Sequence, residues 1–358
     1  MKKTIFLTFL AALLFPFFSV SQYTDVINSN RPGLSVSAYA VGKNVFQVEF
    51  GVAYEQQDDT DLATESNIVG ADFSLRYGLL FEELEINWEG TFQNQNITFT
   101  DTIGLDGSRT DFGRNRIGLK YLVYDPYKNP ERNKPNLYSW RANNKFQLRN
   151  LLPAVSIYAG ANILFGDNPF FVGDPTVSPR VMVATQSRLT PKFVLISNIS
   201  YDRIGSDFPE WGYLISLSHA FRNPKWSVFV ENQGVSSDRY SDILLRSGVA
   251  HLINEKIQAD VNLGANFKNT PSRIFVSAGF SYRFDMHKDE LKPIEDQKAG
   301  ENGEPIKKNA MKKKKKKAKK GDGAEDIDLG PSKKQLRKLK KKEKKKKKKD
   351  EDNGVIDF

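Results

Sequence analysis

No cysteine occurs in the 358 residues, which excludes a disulfide framework and a cysteine-anchored lipid. Histidine is scarce as well: only His219, His251 and His287 are present, and there is no Gly-x-Ser-x-Gly elbow. The first two fall late in strand-like segments and the third in a charged tail. They are read as interfacial polar groups, and no catalytic residue is expected. The acidic stretch Asp58, Asp59, Asp61 lacks the spaced ligands of a calcium loop, so neither a metal nor a cofactor is expected. Long apolar runs are missing too. Past the amino terminus, none approaches the roughly 20 residues that a membrane helix needs.

The exception at the amino terminus has a different character. Lys2 and Lys3 precede an apolar run from Ile5 to Phe18, and Ser19-Val20-Ser21 supplies small residues before Gln22. A basic front, a short apolar centre and a small-residue end describe a secretory signal peptide over 1–21, and Pro16 would kink a longer helix. A secreted chain without helical spans is soluble in the periplasm, exported, or threaded through the outer membrane as strands.

What the chain does have is alternation. From Ile274 to Phe284, Ile274, Val276, Ala278, Phe280, Tyr282 and Phe284 share one face, while Arg273, Phe275, Ser277, Gly279, Ser281 and Arg283 share the other. Successive side chains of a strand point to opposite faces, so a period of two predicts one apolar and one wet side. The pattern recurs at about 45–55, 69–78, 84–93 and 116–123, and further strands are predicted near 153–165, 179–189, 192–201, 211–221, 225–233, 241–252, 256–267 and 273–284. The expectation is an all-β, transmembrane, antiparallel up-and-down β-barrel of about 12 strands over residues 43–284, preceded by an N-terminal periplasmic segment, 22–42. An even count puts both chain ends on one side. Four of the five turns on that side are short, while several loops on the other exceed ten residues, which is the asymmetry of outer-membrane barrels. The long turn, 124–152, is predicted to hide a hairpin or to extend strands four and five. Tyr54, Tyr77, Trp88, Tyr121, Tyr201, Trp211, Tyr213, Trp226 and Tyr282 fall at or near strand ends, where girdle aromatics belong. The competing architecture is a soluble sandwich or lipocalin-like barrel, with its apolar face turned inward.

The apolar face of the last strand ends on Phe280, Tyr282 and Phe284. It resembles the terminal strand by which the barrel-assembly machinery recognises outer-membrane barrels. Outer-membrane lipid and that machinery are therefore expected partners, and the outer membrane of a Gram-negative-type cell is the expected location. On the polar faces, Glu49, Asp72, Arg76, Glu85, Glu89, Arg116, Lys120, Glu231, Lys256 and Asp260 are predicted to point into the lumen. Arg76 and Glu85 flank a short turn and should meet across the ladder. Mixed charges in a lumen this size can define a narrow aqueous path or lock into pairs that fill it; the path is favoured.

After Phe284 the composition changes. Residues 285–358 hold 26 Lys and Arg against 16 Asp and Glu, so this segment accounts for the whole formal charge of +10. Lys312 to Lys317 and Lys344 to Lys349 are unbroken runs, too polar to bury a core, and a disordered basic periplasmic tail is expected. In a secreted chain such runs do not imply nucleic acid. The polyanions within reach are anionic lipid and the cell wall, met either by diffuse attraction or by tethering.

Asn30-Arg31-Pro32 followed by AYAVGKNVFQVEFGVAYE, together with LRYGLLFEELEINWEG (75–90), RIGLKYLVYD (116–125) and NLLPAVSIYAGANILFG (150–166), resembles the phenol-degradation MetA-pathway family of outer-membrane transporters. The resemblance covers about residues 28–284; the segment 126–144 and the Lys-rich extension depart from it. It implies a barrel that passes small, hydrophobic or aromatic molecules. The alternative function is a structural barrel whose tail ties the outer membrane to the cell wall.

Overall fold

The computed structural model describes residues 26–101, 106–128, 133–134 and 136–286. The expected signal peptide and basic tail lie outside them. Twelve antiparallel strands follow one another around a closed barrel: β1 (Val45–Asp59), β2 (Thr64–Gly78), β3 (Leu84–Phe99), β4 (Gly107–Tyr124), β5 (Ala154–Ile163), β6 (Val177–Arg188), β7 (Phe193–Asp202), β8 (Glu210–Ala220), β9 (Trp226–Ser236), β10 (Ser241–Asn254), β11 (Ile257–Asn266) and β12 (Ser272–Asp285). Each strand pairs with its chain neighbours, and β1 pairs with β12 from Val45↔Asp285 to Asp58↔Ser272. Closure leaves no free edge, so every ladder group has a partner without water.

The distribution of side chains separates the two candidate architectures. The largest fully buried side chains include Arg76, Arg283, Lys120, Gln47, Glu49 and Glu85, whereas Val52, Val69, Ile199, Leu263 and Ile274 are more than half exposed. A water-soluble barrel would invert this arrangement; a barrel in lipid requires it. Tyr54, Trp88, Tyr121, Trp211, Tyr213 and Trp226 are exposed on the apolar side, as expected of girdle residues. The terminal-strand aromatics line the seam that closes the barrel. Phe280 lies 6.0 Å from Phe50, and Phe284 lies 5.9 Å from Phe46.

Four regions differ from expectation. First, β2, β3 and β4 run past the predicted ends toward the long loops, β3 to Phe99 and β4 back to Gly107. In Asn94-Gln95-Asn96 and Ser108-Arg109-Thr110 both faces are polar, so periodicity vanishes while backbone pairing continues. Second, Thr91 pairs with Arg114 but Phe92 pairs with Phe112, leaving Gly113 as a bulge. The bulge lets Arg114 point inward while Phe112 packs outside against Phe92 at 5.3 Å. Third, the described part of 125–153 holds neither a hairpin nor strand extensions. It forms a short helix, α1 (Trp140–Asn144), and a 3-10 turn, Leu148–Leu151. Pro126 cannot donate to a ladder, which accounts for the end of β4 at Tyr124.

The largest departure precedes β1. The segment expected below the barrel instead runs inside it from about residue 28 to 41. Its start is held by Ile27 N–H donating to the Glu255 carbonyl at 2.9 Å. Its end reverses into β1 through Gly42 and Asn44, whose φ values are 94° and 58°. The backbone passes so close here that a Cβ on Gly78 would lie 1.7 Å from the Gly42 oxygen.

Candidate functional site

The site is the lumen, and it is built from one face of the wall plus the inserted segment. Because alternate residues face inward, each strand contributes polar groups at fixed spacing, and cross-strand register decides which of them meet. Near the β1 start, Arg76 donates to both oxygens of Glu85 at 2.9 Å and lies 3.4 Å from Glu49. Lys120 stands opposite Glu85 in the ladder, with its ammonium 3.3 Å from that carboxylate. Farther along, Glu231 receives Arg246 at 2.6 Å, and Asp202 receives Arg116 at 2.6 Å and Asn162 at 2.5 Å, with Arg180 on the same carboxylate. Toward the long loops Arg273 donates to Glu55 at 2.6 Å. Charges buried this deeply persist only when paired.

These side chains also grip the backbone of the segment. Leu34 and Ser35 donate their amides to Glu231 at 3.0–3.2 Å, Val36 donates to Asn198 at 2.7 Å, and Val41 donates to Glu85 at 2.9 Å. Lys120 donates to the Ser37 and Tyr39 carbonyls at 3.0 Å, and Arg76 to the Asn28 carbonyl at 2.8 Å. The Tyr39 hydroxyl donates to Asp125 at 3.0 Å; burial, reinforced by the Asp125 charge, pushes the phenol well above its ordinary range and keeps it a donor.

Arg31 occupies the most specific seat. Its guanidinium donates to Asp260 at 3.1–3.3 Å and to Ser277 at 3.2 Å. It lies across Gly51 and Gly279, which face each other in register; a Cβ on either would come within 2.4 Å of the guanidinium. Asp260 is the next residue in that row. One acid and two absent side chains therefore form a cradle for one arginine.

The structure thus turns Glu49, Asp72, Arg76, Glu85, Glu89, Arg116, Lys120, Glu231 and Asp260 inward. Arg76 and Glu85 meet as the ladder argument requires. Lys256 does not belong with them. It is exposed in the two-residue turn between β10 and β11, because β11 starts one residue later than the alternation suggested. Sequence reasoning missed Arg31, Arg114, Arg180, Asp202 and Arg246. Asp202 lay one residue past the predicted strand, and Arg180 and Arg246 obey the same alternation as their neighbours. Nothing local marks Arg31 as a lumen residue, since its partners are more than 200 positions away. The segment narrows the lumen, and cavities of about 110, 210 and 320 Å³ lie beside it, all of which Arg31 and Gly33 line. His219 and His251 stack on Phe193 and Trp226 at 4.3 and 4.2 Å, away from these cavities.

Residues 29–284 match the family described as "Putative MetA-pathway of phenol degradation". No curated protein matches the chain. Among solved structures, an outer-membrane channel from Pseudomonas putida F1 is similar at 10% identity and a TM-score of 0.46, covering 72% of this chain and 100% of that one. The Pseudomonas putida toluene transporter TodX is similar at 8% identity and a TM-score of 0.37, covering 74% of this chain and 98% of its own. The translocator domain of the autotransporter NalP from Neisseria meningitidis is similar at 7% and 0.41, with coverages of 67% and 88%.

Proposed function

The chain belongs to the phenol-degradation MetA-pathway family, and from that membership we propose that it is an outer-membrane channel for small molecules, closed at rest by its own N-terminal segment. The family description points to aromatic solutes. The observation that carries the reading is how the segment is held. Its backbone is gripped by side chains of the wall, through Glu231, Asn198, Glu85, Lys120 and Arg76, and it pairs with no strand. Each such contact is a single hydrogen bond, contributing about 1.5–3 kcal/mol where the wall group is charged, and can be exchanged for water or solute, so the segment can yield without opening the barrel. In this reading the charged wall sets the electrostatics of the path, transport is passive, and no reaction is catalysed.

The absence of native cysteine makes the test clean. The full mature chain carrying Val36→Cys and Asn198→Cys would be reconstituted in liposomes and joined by a short thiol crosslinker. Swelling by small solutes is expected before crosslinking and should fall after it, while either single variant is unaffected. Flux unchanged by the crosslink would sink the plug as gate. Absence of swelling with every solute, in a barrel whose folding is verified by heat-modifiable mobility, would sink the channel.

A tethering role for residues 285–358 is favoured separately by their excess of 26 basic over 16 acidic residues. In the channel reading that tail lies in the periplasm, beside anionic lipid and the cell wall, and is accessory to transport.

A further inference from the structure

The cavity of about 320 Å³ on the long-loop side of Pro32 and Gly33 has a composition that singles out one class of ligand. Its volume sits near the lower end of the roughly 300–1,000 Å³ typical of small-ligand pockets. Four arginines line it, Arg31, Arg114, Arg246 and Arg273, against two carboxylates, Glu55 and Asp72. The acids that neutralise Arg31 and Arg246 do not line it. Asp260 and Glu231 have fully buried side chains, so the cavity meets the cationic partner of each pair. Arg273 is satisfied by Glu55 at 2.6 Å.

Arg114 is the exception. Its carboxylate within 4 Å is Asp72 at 3.4 Å, Glu89 adds its charge from farther off, and its Nε is buried without a hydrogen-bond partner. A guanidinium is a rigid fork matched to a planar carboxylate, and a buried donor left unmet is unfavourable until an acceptor arrives. Beside it the wall turns apolar. Phe275, Ile68 and Leu34 line the same cavity, and the Arg246 guanidinium lies over the Phe275 ring at 4.8 Å. Gly264 makes room for that ring, since a Cβ there would lie 2.4 Å from it. Phe275 is thus the one large apolar residue on the inward face of β12, and it lies beside the guanidinium edges that line the cavity.

We propose that this cavity is a binding site for a small carboxylate bearing a ring or short apolar chain, with Arg114 taking the carboxylate and Phe275 the apolar part. The inference deepens the channel reading, on which it rests for the solute's onward path, by making the solute an organic anion and not a neutral hydrocarbon. A neutral ring would leave the guanidinium edges without acceptors. A small inorganic anion would leave the Phe275 face unused.

Binding can be measured without any flux. The full mature chain, folded in detergent, would be titrated calorimetrically with benzoate, benzyl alcohol and inorganic phosphate. Benzoate is expected to bind saturably, and about tenfold or more tighter than either of the others, the difference that one charge-assisted hydrogen bond supplies. Arg114→Gln should weaken benzoate by a similar factor and leave benzyl alcohol unchanged; Phe275→Leu should weaken both ring-bearing ligands and leave phosphate unchanged. Equal binding of benzoate and benzyl alcohol, or no benzoate binding at all by the native chain, would overturn the proposal without recourse to any variant. Swelling assays run in parallel separate the two readings. Benzoate binding without swelling retains this site and removes the channel, whereas swelling without benzoate binding does the reverse.

Discussion

At the scale of single residues, the lumen is a set of charges whose burial is tolerated only because each has found its opposite. Glu85 is the clearest case: Arg76, Lys120 and the Val41 amide all converge on it. Glu85→Gln leaves two buried cations without their shared carboxylate. Removing one partner of a buried pair typically costs about 3–5 kcal/mol, so denaturant unfolding in detergent should show a loss in that range. The same variant should raise basal conductance, since the segment loses an anchor. The glycines of the Arg31 cradle make a second, opposite argument, in which adding atoms does the damage. Gly51→Ala or Gly279→Ala should push the guanidinium off Asp260 and raise single-channel conductance in planar bilayers. Gly70→Ala is the control, because its new Cβ meets only ordinary contacts at 3.6 Å or more. Equal conductance in all three variants would show that Arg31 does not hold the lumen shut. The wall residues of this set were legible from strand parity alone. Arg31 was not, because its meaning lies in residues brought beside it by closure of the barrel.

At the scale of elements, β12 carries two duties on one face. Phe280 and Phe284 end the terminal strand as an assembly signal would, and they also pair with Phe50 and Phe46 across the closing seam. Aromatic pairs of this kind contribute about 0.5–1.5 kcal/mol each beyond area burial. Phe284→Ala is therefore expected to lower the heat-modifiable, membrane-assembled fraction in cells, and Phe284→Tyr to preserve most of it. Equal assembly by both variants would count against the signal. The long reach of β3 and β4 carries a different lesson. Strand identity was readable where one face meets lipid, and unreadable where both faces are wet, although the hydrogen-bond ladder runs on unchanged. Gly113 adds to this, since a one-residue bulge reverses the parity on which such reading depends.

At the scale of the whole molecule, the composition divides the chain by task. Net charge resides in 285–358, whereas the barrel pairs its charges internally and shows lipid an apolar exterior. A chain ending at residue 286 is expected to swell liposomes as the full mature chain does, while its retention on isolated cell-wall material falls. Loss of swelling on truncation would tie the tail to transport, and unchanged retention would remove the tether.

The sequence by itself determined the strand number, the order of strands and, Lys256 apart, the inward direction of the wall residues singled out from it. Each of these follows from local periodicity, and a period of two in a closed antiparallel barrel leaves little freedom. Only the tertiary structure decided that residues before β1 occupy the lumen, that Arg31 rests on two glycines against Asp260, and that Arg114 keeps an unmet donor beside Phe275. Those facts depend on which distant faces come together when β1 meets β12, and on the space left inside once they do. A linear pattern records the direction of a side chain; it does not record the volume into which that side chain points.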